Sequence, residues 1–257
     1  MNTETSTSKT NTTIDRLFQV GAHFGFTKRR RHPTVVPYLY GTKDGNDIFD
    51  LTQTAEQLEQ AASLIEEYAK LGKTIMYVGT KTEIKDVVES SANTVGAPYV
   101  VNRWIGGTLT NFSEIKKRLK RLNDLEAEQA AGTLDRKYTK RERVMIGREM
   151  TRLRFNFGGM QKMERLPDLM VVVDPRHETI AVEEATLLGI PTVGIMSSDG
   201  NVQSVTHPVI MNDALNACVS LALEEFTSAH QRGVSAYTPA PAASAETARP
   251  RGATTRA

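Results

Sequence analysis

The sequence has almost no cysteine. Cys218 is the only one, so an intrachain disulfide and a cysteine-based zinc cluster are both excluded. It stands among apolar residues at helical spacing, which reads as a buried core thiol and not as a nucleophile. Long apolar runs are lacking as well. None approaches the roughly 20 residues needed to span a bilayer, so no membrane partner is expected. The polar stretch at the start of the chain has no signal-peptide apolar segment, and a cytoplasmic location is the default expectation. Signatures of catalysis are missing too. There is no G-x-G-x-x-G, no G-x-S-x-G, and no pair of histidines at zinc-binding helical spacing. Gly72-Lys73-Thr74 ends like a phosphate-binding loop, but the upstream glycine it requires is replaced by Glu67. The triplet also precedes its strand, where such a loop would follow one.

What is present is an uneven distribution of charge. The whole chain carries a formal net charge of only +2, yet residues 111–165 hold six Lys and nine Arg against two Asp and six Glu. The rest of the chain is therefore net acidic. One surface is set apart to face a polyanion.

Helices and strands alternate through most of the sequence. Thr54–Leu71, Thr82–Val95, Glu178–Leu188 and Asp213–Phe226 have helical periodicity. Lys73–Val78, Pro98–Val101, Leu169–Val173, Pro191–Ile195 and Pro208–Ile210 read as strands. The unbroken apolar run 169–173 is the mark of a strand buried on both faces. Alternation of this kind predicts a parallel sheet with helices on both faces. Upstream, a short helix is expected over Ile14–Val20. Val35–Tyr40 and Asp47–Leu51 are expected as a hairpin around Gly41 and Gly45.

One segment interrupts the alternation. Ile115, Leu119 and Leu122, then Ile146, Met150, Leu153, Phe157 and Met160, recur at spacings of 3 and 4, which predicts an inserted coiled-coil hairpin. Gly132–Tyr138 is its turn, and Gly158-Gly159 ends or bends the second helix. The expected organisation is a disordered N-terminus over 1–12, an α/β globular domain formed by 13–110 and 166–230, the insertion over 111–165, and a disordered Ala/Pro/Arg tail over 231–257.

Four places invite chemistry. Gly79-Thr80-Lys81 follows a strand and precedes a helix, so its amides could hold an anion; the plainer expectation is a tight turn with Thr82 as N-cap. Asp174 through Glu178 gathers Asp, His and Glu, but without a nucleophile Asp174 is expected to cap the next helix, with Pro175 in first position. Lys28, Arg29, Arg30 and Arg31 lie between structured elements and are expected to meet phosphate. Arg103-Trp104-Ile105-Gly106-Gly107 opens onto the basic helix. There Trp104 is expected to pack first and face RNA second, while Arg103 reaches outward. On that helix Lys116, Lys117, Lys120 and Arg121 recur at 3 and 4, as do Arg148 and Arg152 on its partner, and residues 115–123 contain no acid. These residues together form the expected RNA-binding set.

Val20-Gly21-Ala22-His23-Phe24-Gly25, Val78-Gly79-Thr80-Lys81, Arg103 through Asn111, and Leu166-Pro167-Asp168 on through Pro191 together resemble the bacterial ribosomal protein S-two family of the small subunit. The resemblance covers about residues 14–228. It implies a flavodoxin-like parallel sheet carrying a projecting coiled-coil hairpin, binding to small-subunit ribosomal RNA, neighbouring ribosomal proteins as partners, ribosomal protein S-one among them, and no enzyme activity. The chain departs from the family pattern at Phe26, where a histidine is usual, and at Met196-Ser197-Ser198-Asp199-Gly200, where an acidic loop is common. Some members use that histidine and those acids to hold a metal; with both changed, no metal or other cofactor is expected here. The competing reading is an α/β enzyme acting on a nucleotide or sugar phosphate at the strand C-terminal ends. A third is a protein scaffold built on the coiled coil.

Overall fold

The computed structural model describes residues 12–237. Five strands, β4 (Ile75–Val78), β5 (Tyr99–Val100), β6 (Leu169–Val173), β7 (Thr192–Met196) and β8 (His207–Ile210), form a parallel sheet in the order β5-β4-β6-β7-β8. The chain starts at β4, adds β5 on one side and β6 on the other, so the order reverses between β4 and β6. Ligands of open α/β sheets usually bind at such a reversal.

Side chains alternate across the strands and build two cores. Ile75, Tyr77, Leu169, Val171 and Val173 face one layer, with α1 (12–19), α2 (Leu51–Lys70), α3 (Lys85–Val95) and α8 (Asn216–Ser235). Met76, Val78, Met170 and Val172 face the other, with α7 (Thr179–Leu187) and the near halves of α4 (Phe112–Ala130) and α6 (Lys140–Phe157). The expected parallel sheet with helices on both faces is thus present.

The two long helices pack antiparallel. Going out along α4, Lys116 reaches the Glu164 carbonyl, Glu126 meets Arg154, and Glu128 meets Lys137, so partners come from progressively earlier residues toward the turn. Ile115, Leu119, Leu122, Leu153 and Phe157 belong to the core of the sheet layer. Leu125, Ile146 and Met150 form a small cluster of their own farther out. A short helix, α5 (Leu134–Lys137), makes the turn, and a Thr139–Glu142 capping box starts α6.

At its far end α6 passes into a single 3-10 turn, Gly158–Met160, pressed against β5. A Cβ on Gly159 would lie 2.3 Å from the Tyr99 carbonyl oxygen and 2.6 Å from its ring. Backbone cannot yield as a side-chain tip can. Gly159→Ala is therefore expected to cost about 1–3 kcal/mol and lower the melting temperature by about 2–4 °C for each. Thermal melting followed by circular dichroism checks this; an unchanged midpoint would mean that β5 and the turn separate freely.

Several elements differ from expectation. Val35–Tyr40 is not a strand: Pro33–Tyr38 is 3-10 helix, because Pro33 and Pro37 fix φ near the helical value and remove ladder donors. The hairpin is shifted, joining β2 (Leu39–Lys43) to β3 (Asn46–Phe49) through Asp44 and Gly45, with φ of 52° and 81°. An unexpected strand, β1 (Phe24–Thr27), pairs with β3 to give a second, three-stranded antiparallel sheet. Helix α8 runs to Ser235, well past Phe226. The N-terminal stretch 1–11 and most of the tail expected to be disordered lie outside the described residues.

Candidate nucleic-acid interface

The loop after β5 is organised by one carboxylate. Glu184 sits on α7 between Ala181 and Ala185, buried in the second core. Its Oε1 accepts from the Trp104 indole Nε1 at 3.1 Å and the Gly107 amide at 2.7 Å. Its Oε2 accepts from the amides of Leu109 at 2.9 Å and Thr110 at 3.1 Å, and from the Thr110 hydroxyl at 3.2 Å. Burial alone would raise the Glu184 pKa, but these donors outweigh it and hold the carboxyl below its ordinary value. Trp104 is only 8 % exposed. The ring is packed inside and its N–H is spent on Glu184. Arg103, three residues past the end of β5, is exposed as expected.

The basic run 28–31 divides in two. Lys28 and Arg29 are exposed and, among the described residues, meet no carboxylate. Arg31 instead makes a two-pronged bond to the fully buried Asp47 and also donates to Thr42. Arg30 donates to Asp199 at 3.0 Å and lies 4.3 Å over the Phe26 ring. These two arginines tie the antiparallel sheet together and to the β7–β8 connection. Their guanidinium groups are thus engaged within the protein.

On the paired helices the expected cationic face is partly neutralised. Lys117 pairs with Glu114, Arg121 with Glu149, and Lys116 donates to the Glu164 carbonyl. Lys120, Arg148 and Arg152 are exposed and, among the described residues, engage no acid. Arg118, Lys140 and Arg141 share that condition and were not in the expected set. The signal was available for Lys140 and Arg141, which lie in a basic run with no acid at i±4; Arg118 has Glu114 four residues before it, but that acid pairs with Lys117.

The strand ends at the order reversal hold internal partners instead of a ligand cradle. Glu178 accepts from the Thr80 amide at 2.9 Å and the Thr80 hydroxyl at 2.5 Å, so a protein carboxylate occupies the place a phosphate would take. Lys81 is closely paired with Asp174 and stands 3.7 Å from Asp213. Thr82 does not cap α3, whose first flanking residue is Ile84 with no side-chain bond. Asp174 caps a turn before α7 and not the helix itself: it takes a φ of 57° and accepts from the His177 amide at 3.1 Å. A nucleotide or sugar-phosphate enzyme would need these groups free.

Comparison with known proteins bears on this arrangement directly. Residues 17–233 match the family described as ribosomal protein S2. The chain belongs to the ribosomal protein S2 family. It is 39 % identical over 221 residues to small ribosomal subunit protein uS2c of Rhodomonas salina, covering 86 % of this chain and 90 % of that one. It is 36 % identical over 220 residues to uS2 of Picosynechococcus sp., covering 86 % of each. Against uS2 of Salinibacter ruber it is 36 % identical over 222 residues, covering 86 % of this chain and 69 % of that one.

The residues at 26 and 196–200 do not suit a metal ion. Phe26 offers a ring where a histidine would stand, and its amide donates to the Ser198 hydroxyl at 2.9 Å. Asp199 is shared between Arg30 and Arg176, so two guanidinium groups already supply the positive charge. Among the described residues no three His, Cys, Asp or Glu side chains converge as metal ligands would.

Proposed function

We propose that this chain is a structural component of the small ribosomal subunit that binds ribosomal RNA, without turning over a substrate. The observation that carries the reading is the set of exposed, uncompensated cations on the paired helices, in a chain whose residues 17–233 match the S2 family. Lys120, Arg148 and Arg152 repel one another along an arm that gains by meeting a polyanion. Lys28, Arg29 and Arg103 extend the cationic surface around the body. Contacts of this kind go to phosphate and are specified by shape. Segment 111–165 acts as an arm rooted on the sheet, and neighbouring small-subunit proteins are its other partners. The reading locates the chain in the cytoplasmic small subunit. Ribosomal protein S-one is left out, because the Arg30–Asp199–Arg176 contact stands where a metal-bridged contact would need ligands.

Reversing Lys120, Arg148 and Arg152 together to Glu tests this. The folded state should persist, since none of the three makes an ion pair among the described residues. The slope of log binding constant against log salt should fall by at least about 0.7 for each phosphate contact removed, and incorporation into small subunits should be blocked. Normal incorporation of the triple variant at physiological salt would leave the helices as a protein-docking arm.

A further inference from the structure

We infer that a cleft at the root of the paired helices receives one unstacked base of the bound RNA, with the Phe155 ring as its stacking wall. The inference rests on the RNA-binding reading above and adds to it a site for a base, where that reading needs only phosphates.

Phe155 lies in the last turn of α6 and is 56 % exposed. One exposed apolar side chain is unremarkable. Here a second stands opposite. Ile180, at the start of α7, is also 56 % exposed, and both line a single cleft of about 420 Å³ with Arg103, the edge of Trp104 and His177. That volume lies within the range of small-molecule sites, about 300–1,000 Å³. The walls are fixed. Asn102 donates its side-chain amide to the Phe155 carbonyl at 2.8 Å, which pins the end of α6 to the loop, and Glu184 holds the Trp104 side.

Charge decides between occupants. Arg103 and His177 are the exposed ionisable groups on the rim. The cleft's carboxylate, Glu178, is buried, accepts from Thr80 and lies 4.0 Å from the His177 ring nitrogen, so it offsets His177 and leaves Arg103 as the rim cation that meets no carboxylate among the described residues. An anionic partner is favoured, and flat apolar walls select one that also carries a planar ring. RNA supplies both in every nucleotide, whereas an acidic peptide does so only where an aromatic side chain adjoins its carboxylates. The helix supplies direction as well. Arg148, Arg152 and Phe155 follow at spacings of 4 and 3, so they share one stripe of α6 about 10 Å long. A strand whose phosphates meet Arg148 and Arg152 is thereby led to Phe155. Bases splayed onto aromatic side chains are the common mode of single-stranded RNA recognition.

The test uses the full-length chain with two probes, a uridine decamer and its fully abasic counterpart, titrated over a range of salt. The parent should bind the uridine RNA about tenfold more tightly than the abasic one. Phe155→Ala should abolish that preference and leave the salt slope unchanged. Phe155→Tyr, which keeps a ring, should retain it, and quenching of the lone Trp104 by the uridine RNA should be seen only in the parent and the Tyr variant. Equal binding of both RNAs by the parent, or a preference that survives in Phe155→Ala, overturns the inference. If the parent then still shows a normal salt slope, phosphate binding stands and only the base site falls. No salt-dependent binding at all would remove the RNA reading and this inference with it. An Ala variant that binds RNA as the parent does, yet fails to enter small subunits, would assign the cleft to a neighbouring protein.

Discussion

Glu184→Ala should destabilise the fold by about 3–5 kcal/mol, lowering the melting temperature by about 10 °C, although residue 184 lies on no exposed surface. The substitution removes one acceptor group and strands five donors: the Trp104 indole, the amides of Gly107, Leu109 and Thr110, and the Thr110 hydroxyl. Each buried unsatisfied donor costs about 1–3 kcal/mol, and relaxation of the loop toward water recovers part of that sum. Glu184→Gln should be milder, because it keeps the shape and one acceptor but turns an NH2 toward donors. Trp104 reports the event. Its emission should shift red in the Ala variant as the ring leaves its site. Trp104→Ala should itself lose about 3–5 kcal/mol, and the double variant should lose less than the two single losses together. The carboxyl pKa is held below its ordinary value, so the contribution is fully present above the unfolded-state pKa and is lost as pH falls through the lower folded value. A Glu184→Ala protein that melts within a degree of the parent, with unshifted emission, would show that the loop keeps its own shape without the carboxylate.

That hub shows where reading the sequence stops. The loop 103–112 stands out by composition, with one Trp, paired glycines and a basic helix behind it. Its organiser lies about 80 residues downstream, as one acid in an apolar helix. The available clue was local: Glu184 interrupts a stripe that Ala181 and Ala185 mark as buried, and a carboxylate on a buried stripe requires donors. The strands β4, β6 and β7 were legible because they are buried on both faces and therefore apolar throughout. Of the antiparallel sheet only the hairpin was legible, and with shifted bounds. The sheet's strand β1 pairs with β3 through an irregular register, and the Arg31–Asp47 bond that secures it joins two residues that look like ordinary surface charges. The long end of α8 was missed for a similar reason. Thr227, His230 and Gly233 look polar or helix-breaking in sequence, yet they are the buried side of the helix, and Gly233 lets it lie close against Ala69 and the Glu66 carbonyl. Charge along one helix of the pair does not reveal the charge that faces it from the other. Residues 115–123 hold no acid, but Arg121 finds Glu149 across the seam. Cross-helix pairing depends on rotation and register, which a single segment does not disclose.

Asp213→Asn should stabilise the protein above neutral pH and flatten its stability profile between pH 4 and 7. Asp213 follows β8, is 1 % exposed, and neither carboxylate oxygen has a hydrogen-bond partner in another residue. Burial pushes its pKa up to about 7; the nearby Asp174 adds to the rise, and Lys81, itself bound to Asp174, offsets part of it. The folded state therefore keeps a proton that the unfolded chain releases near pH 4. This contribution is fully present below the unfolded pKa and is lost as pH rises through the folded value. A shift of this size corresponds to a loss on the order of 4 kcal/mol by pH 8, and the neutral amide of asparagine escapes it. The limb runs opposite to that of Glu184, so the parent should be most stable at mildly acidic pH. Lys81→Met should steepen the alkaline limb, because it removes the only cation close to Asp213 among the described residues. Urea titrations of parent, Asp213→Asn and Lys81→Met at pH 5 and 8 separate the cases. If the parent and Asp213→Asn lose the same stability between the two pH values, Asp213 is ionised throughout, and the Lys81 ammonium 3.7 Å away is a sufficient counter-charge.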